Sequence, residues 1–162
     1  MKKYKTAKEI PLTRGMIAIV SKKDYNNLKK IKWHVVENYK CFYAAKWDSK
    51  NKNNATMHRI ILGLTDKKKE VDHIDGNGLN NQRSNLRIAT RKQNSHNQRP
   101  KGGSSKYIGV RWVENKNRFR AQIKVDGKCI SLGSHVTEDA AGKAYNKAAK
   151  KHYGKFARLN IV

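Results

Sequence analysis

Polar and apolar residues alternate most regularly in "RFRAQIKV", residues 118–125. Phe119, Ala121, Ile123 and Val125 fall on one side, and Arg118, Arg120, Gln122 and Lys124 on the other. Period two is the pattern of a half-buried strand, here with one mainly cationic face. Asp126-Gly127 suits a two-residue hairpin turn into "KCISLG". "YIGVRWV", residues 107–113, reads as the preceding strand, joined through "ENKN". The period then changes to that of a helix. Thr137 is a capping residue, Glu138 and Asp139 suit the positive end of the helix dipole, and Gly154 is a stop. Ala141, Ala144, Tyr145, Ala148 and His152 recur on one face. Three antiparallel strands packed on one helix through alanines are expected.

The N-terminal part is less regular. "MIAIV" (16–20), "WHVVEN" (33–38) and "CFYAAKWD" (41–48) read as strands, "KKDYNNLKK" as a short helix or turn, and "NATMHRIILG" as a helix ending at Gly63. A short β-prone segment ends at Asp72-His73. The glycine- and asparagine-rich loop "GNGLNNQRS" follows, "NLRIAT" returns as a strand, and "RKQNSHN" opens a helix. "QRPKGGSSK", residues 98–106, has the composition of a flexible linker. The expected organisation is α+β: a β-rich N-terminal segment with a ββα unit over residues 1–97, the linker, and a second domain over 107–162.

Charge then narrows the partner class. Among 162 residues, 37 Lys and Arg face 12 Asp and Glu, giving +25 and a pI near 10.3. Residues 101–162 hold 14 of the basic and 4 of the acidic residues, so they carry +10 and residues 1–100 carry +15. Each part is thus suited to the same polyanion; nucleic acid is the default one, and an anionic membrane surface its main competitor. No long apolar run or signal-peptide pattern points to a membrane. Cys41 and Cys129 form no CxxC pair, which fits a reducing cytoplasm and leaves no structural zinc.

The ββα segment holds the candidate chemistry. A hard divalent cation takes oxygen ligands, and Asp72 with the side-chain carbonyl of Asn94 would supply two. His73, neutral near physiological pH, could take a proton from an attacking water. Asn85 could hold the other ring nitrogen of His73 or fix the loop. An asparagine- and glycine-rich loop is usually only a turn, so the set matters more than any member. His96 competes with Asn94, but a two-residue shift turns it roughly 200° around a helix. Asn97 is one turn from Asn94. His58 reads either as packing or, with Arg59, as lying near a phosphate.

The spacing resembles that of the HNH nuclease family: an Asp/Glu/His-His pair, a mid-loop Asn, and a His or Asn nine positions later. Asp72-His73, Asn85 and Asn94 match in the H-N-N form of phage and intron homing endonucleases. "PLTRGMIAIVSKKDYNNL" and "MHRIILG" extend the resemblance over about residues 10–100. It implies a one-metal ββα centre in which Asp72 and Asn94 bind Mg²⁺ or Mn²⁺, His73 is the base and Asn85 positions it. Arg59, Arg83, Arg87 and Arg91 surround the motif as candidate DNA contacts.

Residues 106–160 resemble the plant ethylene-response-factor (APETALA-type) DNA-binding domain. The shared features are the Tyr-x-Gly-Val-Arg start, the Leu-Gly of the third strand, "EDAAGKAYNKAA" and the closing "LN". Arg111 matches a family arginine, whereas Ile108 and Ser131 replace an Arg and a Trp. With Arg118, Arg120, Gln122, Lys124 and Lys128, Arg111 makes up the expected DNA-facing set. Trp112, opposite Arg111 in the alternation, reads as core. The protein these resemblances imply is a monomeric, site-specific homing endonuclease that nicks double-stranded DNA inside a bacterial or phage-infected cell, with no membrane partner and no small-molecule cofactor. The alternative is a DNA-binding regulator with an inactive HNH domain.

Overall fold

The computed structural model describes residues 7–38, 41–97 and 102–162. Residues 98–101 of the expected linker lie outside these. The chain is a mixed α+β protein that divides into compact units at Met1–Arg91 and Lys92–Val162.

In the first unit, β1 (Ala7–Pro11) pairs antiparallel with β2 (Ile17–Ser21), and α1 (Lys22–Leu28) follows. β3 (His34–Asn38), β4 (Cys41–Asp48) and β5 (Asn53–Thr56) form a second antiparallel sheet leading into α2 (Met57–Leu62). β6 (Glu70–His73) pairs antiparallel with β8 (Leu86–Ala89), and the two-residue β7 (Asn80–Asn81) adds in parallel to β2. The helix expected from "NATMHRIILG" begins only at Met57. Residues 53–56 instead pair with 45–48 of β4, because an open sheet edge outweighs the weak helix preference of Asn and Thr. Gly63 does end α2, at φ 61° with its N–H on the Arg59 and Ile60 carbonyls. Val20, Trp33, Val35, Met57, Ile61 and Leu86 lie in one apolar core, and the Trp33 indole donates to the Leu28 carbonyl at 2.8 Å. Burying each such side chain stabilises the fold by roughly 1.5–3 kcal/mol.

The second unit begins within α3 (Arg91–Ser95). Its sheet has the order β11-β10-β9, with β9 at Val110–Val113, β10 at Arg118–Val125 and β11 at Lys128–His135. β9 is shorter than the expected 107–113. Gly109 sits at φ +73°, where an added Cβ would lie 2.2 Å from the Tyr145 ring and 2.5 Å from the Gln122 carbonyl. Ala121 and Ile123 are buried, as are Ala141, Gly142, Tyr145 and Ala149 of α4 (Glu138–Tyr153). The buried stripe of α4 is rotated from the expected one, and His152 is exposed. Thr137 caps α4 by accepting the Ala140 N–H at 3.1 Å, worth about 1 kcal/mol. Trp112 packs edge-on against Phe119 at 4.7 Å. Cys41 and Cys129 are free thiols.

Candidate active site

The β6–β8 register opposes Asp72 to Arg87 and His73 to Leu86. Cross-strand neighbours share a side, so Asp72 meets Arg87. Its Oδ2 accepts from Arg87 Nε at 2.7 Å and lies 2.5 Å from a terminal guanidinium nitrogen. The pair is well covered, with 4% of the Asp72 side chain and 16% of the Arg87 side chain exposed. A buried carboxylate needs such a partner, since desolvating a charge otherwise costs several kcal/mol. Arg87, expected at DNA, is turned to Asp72.

His73 ends β6 on the side of β4 and α2. Its ring lies 5.9 Å from that of Tyr43 and 5.1 Å from that of His58, the latter edge to face at 84°. Nε2 makes a long contact of 3.5 Å with Asn81 Oδ1. Burial holds the His73 pKa below its usual 6.5, against the opposing pulls of Asn81, Asp75 and Asp72. A neutral imidazole can accept a proton, as a general base must.

The loop between β6 and β8 is held by a side-chain network. Asp75 Oδ1 accepts the Asn77 N–H at 2.7 Å and the Asn85 amide at 2.9 Å, while its Oδ2 accepts the Asn80 amide at 2.7 Å. Asn85 closes the circuit. Its Oδ1 accepts the Asp75 N–H at 3.0 Å, and its amide also donates to the Asn80 carbonyl at 2.8 Å. Of the two expected roles for Asn85, these contacts correspond to fixing the loop. The Asn81 amide donates to the Leu79 carbonyl at 3.2 Å, and the Ile19 N–H to the same carbonyl at 2.9 Å. Asn80, Asn81 and Asn85 are all buried. A buried amide left unpaired costs about 1–3 kcal/mol, so this loop has one low-energy shape.

Asn94 lies on α3, which groups with the second unit from Lys92 onward. There Lys92 pairs with Asp126, the Arg158 N–H reaches the His96 carbonyl at 3.3 Å, and the His96 ring stacks on Tyr153 at 3.8 Å and 10°. His96, the rival of Asn94, is thereby occupied in packing. Among the described residues, no cluster of three or more His, Cys, Asp or Glu forms a metal group.

Two further arginines serve the fold. Arg83 makes a bidentate pair with Asp24, and Arg59 donates to the Lys69 and Asp66 carbonyls, each at 2.8 Å. Arg91 is exposed at the start of α3. In the second unit Arg111, Arg118, Arg120, Lys124 and Lys128 are exposed and Gln122 is half-buried. Arg111 and Arg120 are direct cross-strand partners. Two like charges so placed repel, and a bound anion relieves that repulsion.

Sequence reasoning missed Asp75, Asn81, Tyr43 and Thr56. Asp75, just after the motif and two residues before Asn77, carries an Asx-turn signal that could have found it. Tyr43 carries none, since only the fold brings β4 to His73, and neither does Thr56, whose hydroxyl lies 2.9 Å from Nε2 of His58.

A family model described as HNH endonuclease matches residues 57–96, which take in His58, Asp72, His73, Asn85 and Asn94. A protein of Acanthamoeba polyphaga mimivirus, named as an uncharacterised HNH endonuclease, is 35% identical over 92% of this chain and 77% of its own. Protein 3.8 of Escherichia phage T7 is 31% identical over 76% of this chain and 98% of its own. An AP2-like ethylene-responsive transcription factor of Arabidopsis thaliana is 38% identical over 63 residues, 39% of this chain and 13% of its own. No solved structure matches. The extent of the similarity to the mimivirus protein, together with the family match over the buried Asp72-His73 hairpin, establishes that the chain belongs to the HNH endonuclease family and is a nuclease.

Proposed function

We propose that the protein is a site-specific DNA endonuclease of homing type that hydrolyses one strand of a duplex per engagement, acting as a monomer with a divalent metal ion. The observation that carries this reading is the buried, neutral His73 beside Asp72, on a hairpin whose loop is cross-braced through Asn85. His73 takes the proton of the attacking water, and Asn85 fixes the loop that carries it. Asp72 and Asn94 offer oxygen donors, which suit Mg²⁺ or Mn²⁺. Asn94 is assigned by its nine-residue spacing from Asn85. Arg87 holds the Asp72 carboxylate in its orientation. When bound, the ion supplies Lewis acidity toward the phosphate oxygens and lowers the pKa of a water.

The exposed cationic face of β9–β11 binds duplex backbone, supported by the Arg111–Arg120 opposition and by likeness to the plant factor over that region. A two-stranded or larger β-surface fits the major groove. Arg91 adds a contact. Arg59, Arg83 and Arg87, also expected at DNA, are given protein-holding roles instead. Tethering two DNA-binding parts raises the effective concentration of each at one site. The two relatives similar over most of this chain are viral, and the proposed setting is an infected cell.

The test is cleavage of supercoiled plasmid carrying diverse inserts, with Mg²⁺ or with EDTA, comparing wild type and His73→Ala. Metal-dependent nicked circles from wild type alone are expected. Wild-type rates in His73→Ala would remove the base assignment. Tight binding without any cut would favour the inactive-regulator alternative.

A further inference from the structure

His58 is the second residue of α2 and is 9% exposed. Its ring meets that of His73 at 5.1 Å and that of Tyr43 at 5.7 Å, each edge to face. Nε2 lies 2.9 Å from Thr56 Oγ1. Nδ1 is buried without a hydrogen-bond partner among the described residues. An orphan of this kind destabilises a fold, because the group gives up its bond to water and gains none in return. Met57 and Ile61 of the same helix show that apolar side chains pack well on α2. Leucine at position 58 would avoid the penalty.

Two tautomers fit the Thr56 contact. If Nε2 carried the proton and donated to Thr56, the buried group without a partner would be the Nδ1 lone pair. With Thr56 O–H donating to Nε2, it is an Nδ1–H donor instead. Of the two, the second is the one whose missing partner an anionic phosphate oxygen can supply. The water that His73 activates sits about 3 Å from that ring, and the phosphorus it attacks about 3 Å further on. A donor on a ring 5.1 Å from His73 lies in the range of that phosphate's oxygens.

We propose that His58 is a further substrate-contacting residue, whose Nδ1–H donates a hydrogen bond to an oxygen of the scissile phosphate as DNA seats. The assignment rests on the reading of His73 as the base. Burial, then the neighbouring His73 and Arg59, push the His58 pKa down to about 3. The ring thus remains a neutral donor at working pH and keeps its proton. A neutral hydrogen bond that tightens on developing phosphate charge acts on the chemical step more than on DNA affinity.

The test uses four variants of the full chain in single-turnover plasmid cleavage with Mg²⁺ at saturating protein, alongside DNA affinity and thermal unfolding. His58→Asn places an amide where Nδ1 stands. His58→Gln reaches the Nε2 position and Thr56 but leaves Nδ1 unreplaced. His58→Leu removes both nitrogens, and His73→Ala is the control. Expected are 30- to 100-fold slower cleavage for Leu and Gln, within 10-fold of wild type for Asn, affinity within 3-fold throughout, and unfolding of the Leu variant at or above the wild-type temperature. Wild-type cleavage by His58→Leu would overturn the proposal. So would rescue by Gln rather than Asn, which would mean that His58 serves only to hold Thr56. An inactive His73→Ala beside a wild-type-like His58→Leu would sink this contact alone, whereas an active His73→Ala would sink the base reading.

Discussion

The two units handle polarity in opposite ways. The first hides it: His58, Asp72, His73, Asn80, Asn81, Gln82 and Asn85 are all buried there. The second displays it, with five cationic side chains exposed on or around one sheet and Ala121, Ile123, Tyr145 and Ala149 buried beneath. Chemistry at a phosphodiester wants polar groups fixed and shielded from water, because organised dipoles act strongly in a low dielectric. Backbone binding wants charges that release counterions and need little geometric precision. A buried polar network is also brittle, since removing one member orphans others. A solvated charge can be removed with little loss of stability.

The contrast is most sharply tested at His73. His73→Ala is expected to cut single-turnover cleavage at least ~100-fold, with DNA affinity within 3-fold by gel shift. An equal loss of affinity would mean that the first unit also carries much of the binding. Next comes Asp75→Ala, which takes the acceptor from the buried Asn80 amide and one of two acceptors from the Asn85 amide. Chemical denaturation should show a loss of about 2–4 kcal/mol, with cleavage falling as well. A loss under 1 kcal/mol would show that the loop is held mainly by its backbone.

Acid should separate the units too. His58 protonates near pH 3 in the folded chain against 6.5 ordinarily, and burial shifts His73 in the same direction. The unfolded chain therefore binds protons first. For His58 the stability is full above about pH 6.5 and falls as pH drops toward 3, by up to about 1.4 kcal/mol per unit, and His73 adds to the loss in the same direction. His58→Leu should flatten part of that slope in a thermal-melt series from pH 7 to 4, and an unchanged slope would mean that His58 is accessible to protons when folded. The smallest effect is expected on the sheet. Arg111→Ala and Arg120→Ala should each reduce the salt dependence of DNA affinity by about one unit of slope. Neither should slow cleavage at saturating DNA or lower stability by more than ~0.5 kcal/mol. Unchanged slopes would place the backbone contacts elsewhere. Point changes test this more cleanly than deleting residues 101–162, which would also strip Lys92 of Asp126 and His96 of Tyr153 and Arg158.

The legibility of the two units follows from the same contrast. Alternation along 118–125 gave β10 to the residue, and Thr137 and Gly154 bracket α4, because strand faces and helix caps are local and periodic. The spacing of Asp72, His73, Asn85 and Asn94 likewise reads as one motif without any structure. Pairing partners are not written locally. β1, β5 and the parallel β7 exist because open strand edges elsewhere in the chain accept them. That Arg87 meets Asp72, that Arg83 meets Asp24 across 59 residues, and that His58 faces His73 were likewise decided by tertiary packing. An arginine near a motif looks the same in sequence whether it grips a phosphate or a carboxylate. Which one it does depends on whether a desolvated anion already lies within reach.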